Sequence, residues 1–131
     1  MYVVADKDAI HQVIYNLCHN AIKFACTGGR LIIKIERAEE KKLRVSVFDD
    51  GECLVGEDKA RVFDRFYKTD ESRGLDKSGV GLGLYICKTI VEAHNERIDV
   101  ISETEGCEFW FTLREGTVVD KRLARAQKDD L

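Results

Sequence analysis

The sequence predicts a two-layer α/β sandwich (α+β): a mixed, mostly antiparallel sheet covered on one face by helices. Two observations carry this. Runs with alternating apolar residues interleave with runs of helical period, and several strand-like runs follow each other as hairpins. The chain has 131 residues, enough for one domain that buries its own core.

Tyr2–Ala5 reads as a short strand, and Asp6 can cap the helix that follows. That helix is expected from Lys7 to Ala25, because Ile10, Val13, Ile14, Leu17, Cys18 and Ala21 recur at helical spacing before Thr27-Gly28-Gly29 stops them. Leu31–Glu36 and Leu43–Phe48 form a hairpin across Arg37–Lys42. Asp58–Phe66 reads as a short helix, and Lys68–Gly83 as a mobile glycine-containing loop. Leu84–His94 is again helical. Arg97–Ser102 and Glu108–Leu113 are two further strands turning at Glu105-Gly106. The charged end is expected to fray. The domain is therefore residues 1–116, with a tail over 117–131.

Composition narrows the function classes. Hydrophobic residues make up 44% and charged residues 34%, a globular balance. The net charge of −3, from 21 basic and 24 acidic residues, gives no basic field for nucleic acid. No apolar run reaches the roughly 18 residues of a membrane span, so no membrane contact by this domain is expected. The five cysteines are odd in number and lack zinc-site spacing, which fits reduced thiols in a cytoplasmic compartment.

Three segments carry chemistry. On the first helix, Gln12, Asn16, Asn20 and Lys23 fall within roughly 80° of one another, about 120° from the apolar stripe. A carboxamide oxygen suits a hard cation such as Mg²⁺ that also bridges phosphates, and a lysine one turn on can meet those phosphates. Alone, this stripe reads first as a solvated helix face. Second, Val45-Ser46-Val47-Phe48 runs into Asp49-Asp50-Gly51. A carboxylate ending a buried strand can accept a hydrogen bond from an exocyclic amine such as that of adenine, and Gly51 lets a flat ring approach. An ordinary turn would look the same. Third, Ser78-Gly79-Val80-Gly81-Leu82-Gly83-Leu84 leads into a helix. Its backbone N–H groups and the helix N-terminus suit an anion, yet it is neither a P-loop nor a dinucleotide fingerprint.

Their order, with Val62-Phe63-Asp64-Arg65-Phe66-Tyr67-Lys68 between the second and third, resembles the N box, first glycine box, F box and second glycine box of sensor histidine kinases. These belong to the wider group of ATPases that includes DNA gyrase. The segments NLCHNAIKF (Asn16–Phe24), RVFDRFYK (Arg61–Lys68) and GVGLGLYICKTIVEAH (Gly79–His94) carry the likeness, which spans Val3 to Leu113. The resemblance implies a Bergerat-type ATP-binding fold with ATP and Mg²⁺ as cofactors. It implies Asn20 as the Mg²⁺ ligand, with Asn16 beside it near the phosphates, and Asn16, Asn20 and Lys23 as the catalytic set. Lys23 would contact phosphate and Phe24 pack near the nucleotide. Asp49 would take the adenine amine and Gly51 admit the ring. Phe63 and Phe66 would anchor the lid, Lys68–Val80, while Tyr67, Lys68 and Arg73 approach the phosphates. Gly79, Gly81, Leu82 and Gly83 would offer backbone donors.

The implied reaction passes the γ-phosphoryl group to a histidine on a separate histidine-bearing dimerisation domain of the same parent, then to an aspartate of a response regulator. The parent is expected in the cytoplasm or anchored to an inner membrane. His11, His19 and His94 lack the acidic neighbour of an acceptor motif. A strand usually precedes the one at Tyr2–Ala5, so the chain is expected to start inside the domain. Three departures stand out: Cys53 replaces a glycine, Asn95-Glu96 replaces Gly-Gly, and Glu108 replaces a threonine. The first and third are expected at the adenine end. Cys53 and Glu108 support a rival reading, a degenerate nucleotide-binding or docking module; a gyrase-like ATPase is a second rival, which steady hydrolysis by the isolated domain would favour.

Overall fold

The computed structural model describes residues 2–25, 28–51, 54–67, 82–103 and 105–117. In chain order the elements are β1 (Tyr2–Val4), α1 (Lys7–Phe24), β2 (Leu31–Arg37), β3 (Lys42–Asp49), α2 (Gly56–Arg61), α3 (Gly83–Ala93), β4 (Ile98–Glu103) and β5 (Gly106–Gly116). The expected lid, with Lys68, Arg73, Gly79 and Gly81, lies outside the described residues, as do Cys53 and the tail beyond Thr117.

All strand pairs among the described residues are antiparallel. The long strand β5 organises the sheet. One of its edges pairs with β3 from Cys107 to Arg114, and β2 lies beyond β3. Its other edge is shared end to end: β4 takes Gly106–Phe111 and β1 takes Arg114–Gly116.

Strand alternation decides what faces the helices. Cys107, Phe109, Phe111 and Leu113 of β5 are buried, as are Val45 and Val47 of β3. With Val13, Leu17 and Ala21 of α1, and Cys87 and Val91 of α3, they form one core. The opposite face carries Arg44, Ser46, Glu108 and Trp110, and the guanidiniums of Arg44 and Arg97 lie 4.3 and 5.7 Å from the Trp110 ring centre. At the outer edge, β2 pairs Ile33 with Val47 and Ile35 with Val45, so both isoleucines project to the helix side. Even so, they are 50% and 56% exposed.

The helix ends obey their sequence signals. The Asp6 side chain accepts a hydrogen bond from Ala9 N, capping α1. Beyond α3, Asn95 takes φ 59°, a left-handed conformation that asparagine tolerates. Glu96 then turns inward. Its carboxylate meets Lys42 Nζ at 2.6 and 2.8 Å and accepts from the Thr112 hydroxyl at 2.8 Å. An ion pair thus occupies the turn where the resembling family has two glycines.

One element differs from expectation. The helix expected over Asp58–Phe66 is α2 over Gly56–Arg61, followed by turns. Val62 is buried and the Phe63 ring meets Phe109 edge-on at 5.9 Å, so the chain leaves the helical path to seat these two side chains. Phe66 takes φ 64°, which ends any helical continuation.

Candidate ATP-binding site

Three element ends converge along the polar edge of α1. The first is the end of β3. Asp49 is paired across to Cys107 and Leu31 and is only 2% exposed. Its Oδ1 accepts from Gly51 N at 2.9 Å. Burial, and secondarily the charge of Asp50, raise the Asp49 carboxyl above the ordinary aspartate value, against the opposing pull of the Gly51 hydrogen bond. Such a carboxylate gains most from an added donor.

Gly51 is fixed by the protein itself. A Cβ there would stand 2.0 Å from the Phe24 carbonyl oxygen, so the C-terminal end of α1 presses on this turn. Gly106 has φ 146°, and a Cβ on it would stand 2.0 Å from the Asp49 carbonyl oxygen. The wall around Asp49 is therefore closed by backbone on two sides.

The second end is that of α1. Asn20, Lys23 and Phe24 are half-buried, with Lys23 Nζ 5.4 Å from the Phe24 ring centre. The third is the start of α3. Its N-cap, Leu82, makes no side-chain cap bond, and its first turn has no acidic residue. Among the described residues, no side chain of the N-cap or of the first turn offsets the partial positive charge of the helix end. Asn16 reaches this end, its Nδ2 donating to Gly83 O at 3.3 Å. Phe24 and Asn16 are two helical turns apart, about 12 Å along the axis. The edge of α1 therefore spans from the buried carboxylate to the helix N-terminus.

The described residues contain no cluster of three or more His, Cys, Asp or Glu able to hold a metal. The donor set fits a different mode, in which one carboxamide oxygen adds to waters and phosphates around Mg²⁺. Of the two asparagines, Asn16 is already engaged on both sides, since its Oδ1 accepts from Gln12 Nε2 at 2.8 Å. Asn20, one turn further along α1, is half-buried.

Several expected roles are corrected. Glu108 lies at the Asp49 end of the sheet but on the opposite face, where it pairs with Phe48 and Ile101. The buried Cys107 stands on the Asp49 side instead, its Sγ 3.4 Å from Ser102 Oγ. Cys107 was missed, although the alternation of Phe109, Phe111 and Leu113 gives its side. Phe63 packs into the core, whereas Phe66 is 57% exposed; the lid that both were expected to anchor lies outside the described residues. Tyr67 is engaged with α2 and its flank. Its hydroxyl donates to Asp58 and its ring lies under Arg61, and the Asp58 hydrogen bond above all pushes its pKa to about 12. The Cys87 thiol, also pushed up to about 12 by burial, is sealed in the α1–α3 seam against Val13 O.

Known proteins share this fold and sequence pattern. The family described as histidine kinase-, DNA gyrase B- and HSP90-like ATPase matches residues 5–117. The sensor histidine kinase WalK of Bacillus subtilis (strain 168) is 41% identical over 115 residues, covering 86% of this chain and 19% of WalK. The chain thus spans about a fifth of that relative's length. Among solved structures, the catalytic domain of the histidine kinase ThkA superposes with a TM-score of 0.74 at 34% identity, over 86% of this chain and 70% of that one. Full-length ShkA in complex with AMPPNP gives 0.72 at 27% identity, over 88% of this chain and 24% of that one. The chain belongs to the histidine kinase-, DNA gyrase B- and HSP90-like ATPase family, as a catalytic ATP-binding domain of the sensor histidine kinase type.

Proposed function

We propose that this domain binds Mg²⁺-ATP along α1 and donates the γ-phosphoryl group to a histidine on a separate, histidine-bearing dimerisation domain of its parent protein. A response regulator aspartate then receives the phosphoryl group, in two-component signalling. The observation that supports the reading is that α1, which carries Asn16, Asn20 and Lys23, meets the Asp49–Gly51 turn at its C-terminal end and the start of α3 through Asn16. Asp49 takes the adenine amine, and Asn20 offers its oxygen to Mg²⁺. Lys23 and the first amides of α3 receive the phosphates, with Lys68 of the F box and Gly79 and Gly81 of the second glycine box joining them. Phosphoryl transfer of this kind rests on positioning and charge stabilisation.

The histidines support an acceptor outside the chain. Both ring nitrogens of His94 are engaged, Nε2 accepting from Asp6 N at 3.0 Å and Nδ1 lying 2.8 Å from Ile90 O. His19 stacks on Tyr15 with ring centres 6.1 Å apart. The half-exposed Ile33 and Ile35 support a further reading: a strand of the parent upstream of Tyr2 lies along β2. No described helix is long and apolar enough to cross a membrane, and the reading places the domain on the cytoplasmic side of any anchor.

The test uses γ-labelled ATP with the chain alone and with a histidine-bearing domain added. Label is expected only on the added domain. Acid-labile phosphate on His11, His19 or His94 of the isolated chain refutes the reading.

A further inference from the structure

We infer that Gln12, one turn before Asn16 on α1, is a positioning residue that sets the Asn16 carboxamide and so seats the first turn of α3. The inference rests on the proposed ATP site, since that turn is its phosphate end. Gly83 O can only accept, so Asn16 must present its amino group there, at 3.3 Å. Its oxygen is then turned back along α1, where it needs a donor. Gln12 Nε2 supplies one at 2.8 Å. The two amides thus form a directional chain, from Gln12 N–H to Asn16 C=O and from Asn16 N–H to Gly83 C=O.

Gly83 is the first residue of α3, immediately after the glycine loop. Its carbonyl, which the helix ladder offers to Cys87 N–H, receives a second donor from another helix. The bond from Asn16 therefore clasps the start of α3 to the helix that carries the proposed metal and phosphate ligands. A residue at position 12 that could only accept would turn the Asn16 amide over and set oxygen against oxygen at Gly83. One that could only donate would preserve the chain. The polarity of the side chain, more than its size, is what the site requires.

Hydrogen exchange of the nucleotide-free chain tests this with Gln12→Met, Gln12→Glu and Gln12→Arg. Met removes the donor at similar size and no charge, Glu only accepts, and Arg only donates. The amides of Ile86 and Cys87 are expected to exchange about five- to tenfold faster in Gln12→Met and Gln12→Glu, a change of about 1–1.4 kcal/mol. Gln12→Arg should match wild type, and amides of Ile90–Ala93 should be unchanged in all three. Equal exchange at Ile86 and Cys87 in all variants overturns the inference. So does faster exchange along the whole of α3, or a defect in Gln12→Arg equal to that in Gln12→Glu. ATP titration of wild type is read separately, so a chain that fails to bind nucleotide sinks the proposed function while the exchange pattern still decides the role of Gln12.

Discussion

Replacing Gly51 by alanine should damage stability and nucleotide binding together. The added Cβ would lie 2.0 Å from the Phe24 carbonyl oxygen, and 2.8 Å from both its carbon and Asp49 Oδ1. Unstrained contacts of carbon sit near about 3.5 Å, so the end of α1 or the Asp49–Gly51 turn must retreat by more than about 1 Å. The nearest obstacle is main chain, which cannot swing aside as a side-chain tip would. Overpacking typically costs about 1–3 kcal/mol, and this site should fall at the upper end. The reduced chain entropy of the unfolded alanine variant returns about 0.4–1 kcal/mol. At about 4 °C per kcal/mol for a domain of this size, a net loss of about 2 kcal/mol lowers Tm by about 8 °C. The same displacement moves Asp49 off the proposed adenine amine. Loss of one hydrogen bond to a charged group, about 1.5–3 kcal/mol, weakens ATP binding tenfold or more. Scanning calorimetry and ATP titration read the two effects. Gly28→Ala is the control: its φ is 73° but a Cβ would meet nothing within 4 Å, so only the backbone strain of about 1–2 kcal/mol applies. A Gly51→Ala variant that melts within 2 °C of wild type and binds ATP equally would refute this reasoning.

Asp49→Asn should do the opposite to stability. The folded state raises this carboxyl chiefly by burial, so its ionisation opposes folding increasingly as pH climbs from the ordinary 3.8 through the raised folded value. The asparagine variant should therefore melt higher than wild type at pH 7, lose that advantage below about 3.8, and bind ATP more weakly; a lower Tm at pH 7 would contradict this. Gly83→Ala separates fold from function: with nothing among the described residues within 4 Å of an added Cβ and a helical setting, it should gain about 0.4–1 kcal/mol in denaturant titration yet bind ATP severalfold more weakly. Lys42→Met strands the Glu96 carboxylate, whose side chain is 6% exposed, and should lose about 1–3 kcal/mol. The double variant Lys42→Met/Glu96→Gln should recover most of that loss, and equal melting of single and double variants would exclude the ion pair as the cause.

Elements whose order is written in local periodicity were legible in the sequence. The stripe of Val13, Leu17 and Ala21, the Asp6 cap and the alternation of Val45 and Val47 each put side chains on the side where the structure has them. What depended on distant partners was not. Glu96 reads as a surface residue until Lys42, 54 positions earlier, is folded beside it. Val62, Phe63 and Phe66 fit a helical period, but the core claimed the first two and the backbone turned over at the third. Gln12 and Asn16 stood out on one face, yet the direction of their amides is dictated by Gly83, 67 residues beyond Asn16. Glu108 obeys strand alternation, which puts it on the face opposite Cys107 and Asp49, where the family's threonine pattern does not reveal it. With Glu108 on the far face, the docking-module alternative loses one of its two supports.

Calorimetric titration of ATP into the wild-type chain and into Asn20→Ala, each with and without Mg²⁺, tests the central claim most directly. The account predicts one site per chain in wild type, tightened at least tenfold by Mg²⁺, with that tightening lost in Asn20→Ala at unchanged Tm. Absence of ATP binding by wild type at millimolar concentration, or equal Mg²⁺ dependence in the two proteins, would contradict it.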